Sequence, residues 1–274
     1  MEIKLIAIDM DGTLLQDDHE TVSQRNREAI LKAVEKGVYV VPASGRMFEF
    51  LPVQLMSLPG IRYAITSNGA VAVDLKTKEK IFTDYIPNDV VLEALKLVPA
   101  EKTMCEIYID GQSYTDQNYQ SHIPDYQFPE RYNMFLLKRR TVVESLPDFV
   151  RETQPGVEKI NLPYQTEPFH SELWERLEGL GSVTLVSSLP CNIEVNALSA
   201  NKGAALKQLC AHLGIPLSQA MAIGDSGNDM EMLKTAGFAV AMGNGEDRVK
   251  ALSHALTGTN REDGVAAAIE KYVL

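Results

Sequence analysis

Short apolar segments alternate with amphipathic helical patterns at both ends of the chain. In the N-terminal part, Leu5–Ile8, Val38–Ala43 and Tyr63–Thr66 are almost wholly apolar, as expected of buried strands. A helical pattern over residues 23–36 separates the first two. Apolar strands joined by helices are typical of a parallel sheet that is covered on both faces. The alternation therefore predicts an α/β fold with a doubly wound parallel sheet.

Capping residues and apolar runs place the ends of the other predicted elements. Thr21 and Gln24 have the spacing of a capping box at the start of the first helix, and Gly37 ends it. The C-terminal part of the chain repeats the alternation of helices and strands. Its predicted elements are helix Lys202–Leu213, strand Ala220–Ile223, helix Asp229–Thr235, strand Phe238–Ala241, a short helix near residues 246–251 and a last helix after Asp263.

The middle of the chain has a different pattern, which we interpret as an insertion. Asp110-Gly111 lies between two alternating segments, Glu106–Ile109 and Gln112–Thr115, and is typical of a type I′ β-hairpin. Further strands are predicted at residues 159–162, 183–187 and 192–195, and helices near residues 90–97, 142–153 and 167–177. We therefore expect a core domain formed by residues 1–83 and 189–274, interrupted by an inserted α+β domain at residues 84–188.

Small or polar residues follow each predicted strand of the parallel sheet. Ligands bind outside the carboxyl ends of such strands, so these residues form the candidate site. The segments are Asp9-Met10-Asp11-Gly12-Thr13, Ser44-Gly45-Arg46, Ser67-Asn68-Gly69, Gly224-Asp225-Ser226-Gly227-Asn228-Asp229 and Met242-Gly243-Asn244. A turn at Gly12 can bring Asp9 and Asp11 to one pocket, where Asp225 and Asp229 would join them.

Several carboxylates in one pocket require a cation. Two carboxylates about 4 Å apart repel each other by about 4 kcal/mol at an effective dielectric constant of about 20. Ligands that offer only oxygen, with no Cys or His nearby, favour Mg²⁺. A carboxylate beside Mg²⁺ can attack phosphorus and form an aspartyl-phosphate. A second carboxyl group two residues further on can protonate the leaving oxygen and then activate water.

A phosphoryl group in transfer also needs hydrogen-bond donors around its oxygens. Ser44 offers a hydroxyl group, Lys202 a positive charge at the start of a predicted helix, and Asn228 an amide. Arg46 can contact a substrate or form a surface ion pair, and Asn68 and Asn244 can act simply as turn residues.

The four polar segments together resemble the motifs of the haloacid dehalogenase superfamily. They are Asp9-Met10-Asp11-Gly12-Thr13, Ser44-Gly45-Arg46, Asn201-Lys202-Gly203 and Gly224-Asp225-Ser226-Gly227-Asn228-Asp229. The chain is most similar to the Cof-type sugar-phosphatase branch, subfamily IIB, which also carries the patterns found here at Ser67–Ala70 and Thr257–Val265. The resemblance covers the whole core, and it implies that the insertion is a C2 type B cap that closes over the leaving group.

The resemblance also implies a role for each site residue. Asp9 would be the nucleophile and a metal ligand, and Asp11 the general acid and base, giving the metal its backbone carbonyl. Asp225 would be the remaining Mg²⁺ ligand, with Asp229 orienting the metal shell. Ser44 and Lys202 would bind phosphate, and Asn228 would lie close to it. Gly45 and Arg46 are further candidates for binding phosphate or substrate, on their position after the second predicted strand rather than on the resemblance. The implied activity is Mg²⁺-dependent hydrolysis of small phosphate monoesters, above all sugar phosphates.

Three alternatives were weighed against this interpretation. An EF-hand loop also contains a D-x-D pattern, but it requires glycine at its sixth position and flanking helices, whereas Gly12 is the fourth residue after a strand. A phosphomutase would share the aspartyl-phosphate and return the group to a sugar. A non-catalytic phosphosugar-sensing module would resemble receiver domains, which are shorter and need no acid at the position of Asp11.

The overall charge restricts the partners that we expect. The formal net charge is −11, so no basic face for nucleic acid or an anionic membrane is predicted. Cys105, Cys191 and Cys210 have no metal-binding or disulfide spacing and suit a reducing compartment. No signal peptide or membrane-spanning run is evident. We expect a cytoplasmic monomer or small homo-oligomer that acts on a small phosphorylated metabolite.

Overall fold

The structure, a computed structural model, describes residues 2–123, 140–163, 165–187 and 192–274. The chain divides into two compact units. We call the first the core, which comprises Met1–Arg46, Phe50–Thr83 and Asn201–Leu274, and the second the insert, which comprises Met47–Glu49 and Asp84–Ala200. The boundary predicted between residues 188 and 189 lies outside the described residues. The insert continues to Ala200 because the strand Ile193–Ala197 pairs with two other strands of the insert.

The elements are numbered here along the described chain. The strands are β1 Leu5–Asp9, β2 Tyr39–Ala43, β3 Tyr63–Thr66, β4 Val71–Asp74, β5 Lys80–Thr83, β6 Glu106–Ile109, β7 Gln112–Asp116, β8 Arg140–Val143, β9 Val157–Leu162, β10 Val183–Val186, β11 Ile193–Ala197, β12 Ala220–Gly224, β13 Phe238–Ala241 and β14 Ala255–Leu256. The α-helices are α1 Gln24–Glu35, α2 Val53–Met56, α3 Asn88–Lys96, α4 Gln117–Ser121, α5 Leu146–Thr153, α6 Phe169–Glu178, α7 Lys202–Leu213, α8 Met230–Thr235, α9 Asp247–Leu252 and α10 Gly264–Tyr272.

The core contains a sheet with strand order β14-β13-β12-β1-β2-β3-β4-β5. Pairing is parallel from β14 to β3, as the sequence predicts, while β4 and β5 extend the sheet in antiparallel fashion. These last two strands were not predicted. The link between β3 and β4 is only Ser67–Ala70, too short for the crossover helix that a parallel partner requires, so the chain turns back on itself.

Strand β1 lies in the middle of this sheet, between β12 and β2. All five of its residues are buried, which explains its apolar composition. Leu5 and Ala7 belong to one hydrophobic cluster with Leu206 and Leu209 of α7 and Met232 of α8. The chain leaves β1 in one direction toward β2, and its C-terminal part adds β12 on the other side. Such a reversal of strand order opens a crevice at the carboxyl ends of the strands.

The N-cap of helix α1 lies two residues after the predicted cap. It is Ser23, whose hydroxyl accepts a hydrogen bond from the N–H of Asn26, rather than Thr21. The cause is the pairing of Leu15 with Val22, which holds the chain around Thr21 in an extended conformation. The helix ends before Gly37, which has a φ of 79°.

The insert contains a second sheet, with strand order β10-β11-β9-β6-β7-β8. The hairpin between β6 and β7 turns at Asp110 and Gly111, which have φ values of 52° and 75° as a type I′ turn requires. The helix predicted over residues 142–153 is wrong in its first part. Residues 140–143 form β8, and α5 starts only after Ser145, whose hydroxyl caps the N–H of Asp148.

One face of the insert sheet carries buried ion pairs. Tyr108 and Glu106 of β6 stand opposite Lys159 and Asn161 of β9, while Ile107 stands opposite Ile160 and belongs to the other face. Lys159 lies 3.2 Å from Glu194 of β11, and both are buried. Arg140 of β8 lies 3.0 Å from Glu106, again with both side chains buried.

A search of the described residues for a helix both long and apolar enough to cross a membrane finds none.

Candidate active site

The polar segments predicted from the sequence follow strands of the core sheet. Asp9 is the last residue of β1, Ser44 follows β2, Ser67 follows β3, and Asp225 follows β12. Because these strands are parallel, their carboxyl ends lie at one edge of the sheet. The predicted site residues therefore lie together at the crevice on either side of β1.

Three carboxylates meet at this edge. Asp9, Asp225 and Asp229 each place one oxygen within 4.8 Å of the others. Asp9 and Asp229 are almost completely buried, and Asp225 is partly buried. Asp229 reaches the cluster because Gly227–Asp229 forms a short helical turn directly after β12, closed by a capping box between Ser226 and Asp229. Asp11 does not belong to this cluster.

Lys202 lies between two of the carboxylates. Its Nζ donates hydrogen bonds to Oδ1 of Asp9 at 2.6 Å and to Oδ1 of Asp229 at 2.7 Å, and its side chain is fully buried. Lys202 is the first residue of α7, whose N-cap Asn201 accepts a hydrogen bond from the N–H of Ala204. Three carboxylates and one ammonium group give the cluster a formal charge of −2, which matches a divalent cation.

Burial and mutual repulsion change the acidity of this cluster. Burial raises the pKa of Asp9 well above its ordinary value, and the charge of Asp229 raises it further, while Lys202 opposes both effects. Burial and then the charge of Asp229 raise the pKa of Asp225 to about 6. Burial lowers the pKa of the Lys202 ammonium group. The charges of Asp229 and Asp9 outweigh burial and raise this pKa above its ordinary value. The carboxylates are therefore destabilised as anions unless a further cation is present.

The residues of the cluster fit Mg²⁺. Oδ2 of Asp9 is buried and has no hydrogen-bond partner, and an unpaired buried carboxylate oxygen is costly without a ligand. Asp225 uses Oδ1 to accept a hydrogen bond from the hydroxyl of Thr13 at 2.8 Å. Both oxygens of Asp229 are already used, since Oδ2 accepts from the N–H groups of Asp225 and Ser226 and Oδ1 from Lys202. Asp9 and Asp225 thus have oxygen atoms to offer a hard cation, whereas Asp229 holds its neighbours in place.

Gly12 allows the chain to turn sharply between Asp9 and Thr13. Its φ is 81°, and a Cβ at this position would stand 2.5 Å from Oδ2 of Asp225. Any other residue would therefore be strained and would push Asp225 away. The turn Met10–Leu14 is closed by the N–H of Leu15, which donates to the carbonyl of Met10 at 2.9 Å.

Asp11 is bound by two basic residues. Arg46 donates from Nε to Oδ2 at 2.9 Å and from Nη2 to Oδ1 at 2.6 Å, and Nδ1 of His19 lies 2.8 Å from Oδ1. Nη2 of Arg46 also donates to the carbonyl of His19 at 2.7 Å. Burial raises the pKa of Asp11, but the hydrogen bonds and charges of His19 and Arg46 outweigh it and set the pKa at about 2. Asp11 is thus an ionised carboxylate here.

The other predicted residues lie around the same crevice. Ser44 is buried, and its Oγ accepts a hydrogen bond from the N–H of Arg46 at 3.1 Å. Gly45 lies between these two residues, and all three belong to the segment that follows β2. Asn228 accepts a hydrogen bond from the hydroxyl of Ser226 at 2.7 Å and donates to Oδ1 of Asn68 at 3.5 Å. The polar exits of β2, β3 and β12 are thus connected.

Two residues of the site were not singled out from the sequence. Thr13 was recognised only as part of a motif, although its hydroxyl holds Asp225. His19 lies in the loop after the turn, at a φ of 60°, and nothing in its spacing connects it with Asp11. The contact of His19 with Asp11 is evident only in the structure, where the loop also approaches Arg46.

Comparisons with known proteins agree with this geometry. The family described as haloacid dehalogenase-like hydrolase matches residues 6–269. The chain is 34% identical to the 5-amino-6-(5-phospho-D-ribitylamino)uracil phosphatase YcsE of Bacillus subtilis (strain 168), over 100% of this chain and 97% of that protein. It is 31% identical to the HMP-PP phosphatase of Serratia proteamaculans (strain 568), over 91% of this chain and 87% of that protein.

Solved structures show the same fold. A haloacid dehalogenase-like hydrolase from B. subtilis superposes with a TM-score of 0.82 and 30% identity, covering 99% of this chain and 100% of that one. The subclass IIB sugar phosphatase BT4131 superposes with a TM-score of 0.80 and 25% identity, covering 98% of each chain. Both similarities extend over the core and the insert.

Proposed function

The chain belongs to the haloacid dehalogenase-like hydrolases, in their Cof-like subclass IIB, and because it is accordingly a phosphatase of small phosphate monoesters, we propose that Asp9 forms an aspartyl-phosphate, that Mg²⁺ is required and that sugar phosphates are the main substrates. The observation that carries this proposal is the environment of Asp9. One of its oxygens accepts a hydrogen bond from Lys202, and the other is buried without a partner among three clustered carboxylates.

In the first half-reaction, a carboxylate oxygen of Asp9 attacks the phosphorus atom and the ester oxygen leaves. Asp11 gives the departing oxygen a proton, so that an alcohol is released and Asp9 carries the phosphoryl group. In the second half-reaction Asp11, now ionised, takes a proton from water as the water oxygen attacks phosphorus. Inorganic phosphate leaves, Asp9 is again a carboxylate, and Asp11 is again protonated.

Asp11 must be released from Arg46 to act in this way. A carboxylate with a pKa of about 2 is a poor source of protons at neutral pH. We therefore expect the first half-reaction to start from a conformation in which the bidentate contact with Arg46 is broken. Arg46 then becomes free to bind the substrate, and this is the role that the sequence motif suggested.

The remaining residues bind and orient the phosphoryl group. Ser44 can donate its hydroxyl hydrogen, because its oxygen already accepts from the N–H of Arg46. Lys202 stabilises the ionised form of Asp9 and fixes the direction of its carboxylate, and Gly45 and Asn228 complete the surroundings of the phosphate. Asp9 and Asp225, with the backbone carbonyl of Asp11, would hold Mg²⁺, while Asp229 orients them. Bound Mg²⁺ supplies positive charge that offsets the charge on the phosphoryl oxygens.

The substrate class rests on the relatives. A ribitylamino-uracil phosphate is the substrate named for one relative, and a sugar phosphatase is among the structural neighbours. Both names refer to phosphate esters of small polyols, and we propose such esters for this protein. We also propose a cytoplasmic location, where buried reduced thiols such as those of Cys105 and Cys210 are usual.

Phosphate release from a substrate panel tests the proposal. Sugar phosphates, nucleotides, FMN and pyridoxal phosphate are incubated with the protein, once with Mg²⁺ and once with EDTA. We expect release in Mg²⁺ only, with the highest kcat/KM for sugar phosphates, and trapping of a labelled phosphoryl group on wild type but not on Asp9→Asn. Metal-independent release contradicts the Mg²⁺ requirement. Turnover that depends on a bisphosphorylated sugar, with little phosphate released, indicates a mutase instead.

A further inference from the structure

The turn that carries Asp11 is held by two asparagines from a distant part of the chain. Asn244, three residues after β13, donates from Nδ2 to the carbonyl of Gly12 at 2.8 Å. Asn260 donates from its own Nδ2 to the carbonyl of Leu15 at 3.1 Å. The carbonyls of Gly12 and Leu15 thus both accept hydrogen bonds from side-chain amides, rather than from the backbone of a helix or a strand.

The two asparagines are also bonded to each other. The backbone N–H of Asn260 donates to Oδ1 of Asn244 at 3.0 Å. This bond decides which way the amide of Asn244 points, because its oxygen must face Asn260 and its NH₂ group must then face Gly12. The carbonyl of Asn260 in turn accepts from Nε2 of Gln16 at 3.0 Å, and the side chain of Asn260 is buried. We call Asn244 and Asn260 the asparagine latch.

The latch acts on the glycine of the turn, Gly12. Gly12 has a φ of 81° and no side chain to restrict its rotation. Rotation about its backbone would turn the preceding peptide, which contains the carbonyl of Asp11, and would displace the following residue. That residue is Thr13, whose hydroxyl holds Asp225. Fixing the carbonyl of Gly12 therefore restricts both the peptide of Asp11 and the residue that holds Asp225.

We propose that the asparagine latch positions the Asp11 carbonyl and Thr13 for catalysis and for Mg²⁺ binding. The assignment of chemistry to Asp9 and Asp11 rests on the proposed function, whereas the latch geometry does not. The latch residues touch no reacting atom and act only through Gly12 and Leu15. Neither the motifs nor the relatives assign them a role.

A purely structural role predicts a lowered melting temperature with an unchanged kcat per folded molecule. Asn244 is exposed to solvent, and an exposed hydrogen bond contributes about 1 kcal/mol or less to stability. Loss of the bond should consequently leave the melting temperature almost unchanged. A positioning role predicts a loss of kcat and of Mg²⁺ affinity without a corresponding loss of stability.

The test compares wild type with Asn244→Ala, Asn244→Asp and Asn260→Ala. Asn244→Asp has nearly the same shape and still accepts from Asn260, but it sets an acceptor against the carbonyl of Gly12. We expect each variant to lower kcat by about tenfold with KM within about threefold, and Asn244→Asp to be at least as impaired as Asn244→Ala. The matched control is Arg261→Ala, which removes the exposed ion pair with Asp17, at 2.7 Å, and leaves the latch intact.

Calorimetric titration of the metal-free proteins with Mg²⁺ gives a second readout that needs no turnover. We expect the dissociation constant to rise about threefold or more in the latch variants and to be unchanged in Arg261→Ala. The double variant Asn244→Ala/Asn260→Ala should be no worse than the poorer single variant, because both break one connected unit.

Two results would overturn the proposal. One is kcat and Mg²⁺ affinity within twofold of wild type in both Asn244 variants. The other is a lowered melting temperature in every latch variant with wild-type kcat per folded molecule. A wild-type protein that releases no phosphate from any substrate contradicts the proposed function, and the Mg²⁺ titration then still decides whether the latch shapes the metal site.

Discussion

Arg46 binds both carboxylate oxygens of Asp11, with Nε 2.9 Å from Oδ2 and Nη2 2.6 Å from Oδ1. The bidentate contact stabilises the ionised carboxylate, although general-acid catalysis requires the protonated form. In the mechanism that we propose, the nucleophile Asp9 is already in place, while the acid Asp11 is held by Arg46. Separation of Asp11 from Arg46 is then a necessary step of turnover, and it can be measured independently of turnover.

Replacing Arg46 by methionine should raise the pKa of Asp11. Burial raises this pKa and the contacts with His19 and Arg46 lower it to about 2, so removal of the guanidinium leaves burial with less opposition. The measurement is a ¹³C NMR titration of the carboxyl groups in Arg46→Met and wild type. Asp18, whose pKa of about 2 is set by hydrogen bonds from Thr21, is the internal control and should not move. An unchanged Asp11 would show that Arg46 does not control it.

Asp9→Asn should reduce kcat by at least about a thousandfold and leave the fold intact. The amide keeps the shape of the side chain but is a far poorer nucleophile than a carboxylate, and Lys202 retains its bond to Asp229. Circular dichroism and the phosphate-release assay measure the two effects. Asp17→Asn changes an exposed carboxylate of the same N-terminal segment and should keep full activity. Substantial turnover by Asp9→Asn excludes Asp9 as the nucleophile.

In the metal-free protein, Asp225 should lower the stability as the pH rises from about 4 to about 6. In this range the folded protein retains a proton on Asp225, whose pKa is about 6, while the unfolded chain has lost it, since the ordinary value is 3.8. The unfolding free energy therefore falls with rising pH, by roughly 2 kcal/mol for this residue, and becomes level above pH 6. The raised pKa of Asp9 acts in the same direction.

Urea unfolding in EDTA at several pH values measures this dependence. The same series with Asp225→Asn should show a smaller slope between pH 4 and 6, because that side chain no longer titrates. Saturating Mg²⁺ should reduce the slope in wild type between pH 4 and 6, because the metal binds the ionised carboxylates of the folded protein and so offsets the loss of stability as they ionise. Equal slopes for the two proteins in EDTA would contradict the assignment to Asp225.

Lys202→Met should destabilise the metal-free core by about 3–5 kcal/mol at neutral pH, because it leaves Asp9 and Asp229 buried without their counter-charge. Denaturant unfolding with EDTA measures the loss. Lys234→Met is a suitable control, since Lys234 forms an exposed pair with Glu231 on the neighbouring helix α8. A Lys202 variant as stable as this control would show that the carboxylates are neutral in the metal-free protein.

The ion pairs of the insert predict an effect on stability that is separate from the catalytic site. Lys159→Met should destabilise the insert by about 3–5 kcal/mol, because it removes the ammonium group that pairs with the buried carboxyl group of Glu194. The double variant Lys159→Met/Glu194→Gln should recover part of this loss. Arg151→Met, which breaks an exposed pair with Asp148 in the same unit, should cause no measurable change. An additive double variant would mean that the two side chains do not interact.

The amino-acid sequence alone determined the positions of most core strands and the edge of the sheet at which the site lies. These features depend on local properties. A run such as Leu5–Ile8 is apolar enough to be buried on both faces, and Asp110-Gly111 adopts positive φ values readily. The polar segments after these strands also place several carboxylates at one edge of the sheet, and their mutual repulsion is the reason why the sequence predicts a cation there.

Tertiary structure alone decided which side chains meet. Lys202 and Asp9 are separated by 193 positions and Arg46 and Asp11 by 35, and no periodicity or cap relates such residues. Their contacts depend on the packing of α7 against the sheet and on the path of the loop that contains His19. The end of the insert was likewise decided by pairing, since Ile193–Ala197 joins β9 and β10 of the insert sheet and not the core sheet. Local sequence fixes the conformation of a segment, whereas its partners follow from how the whole chain packs.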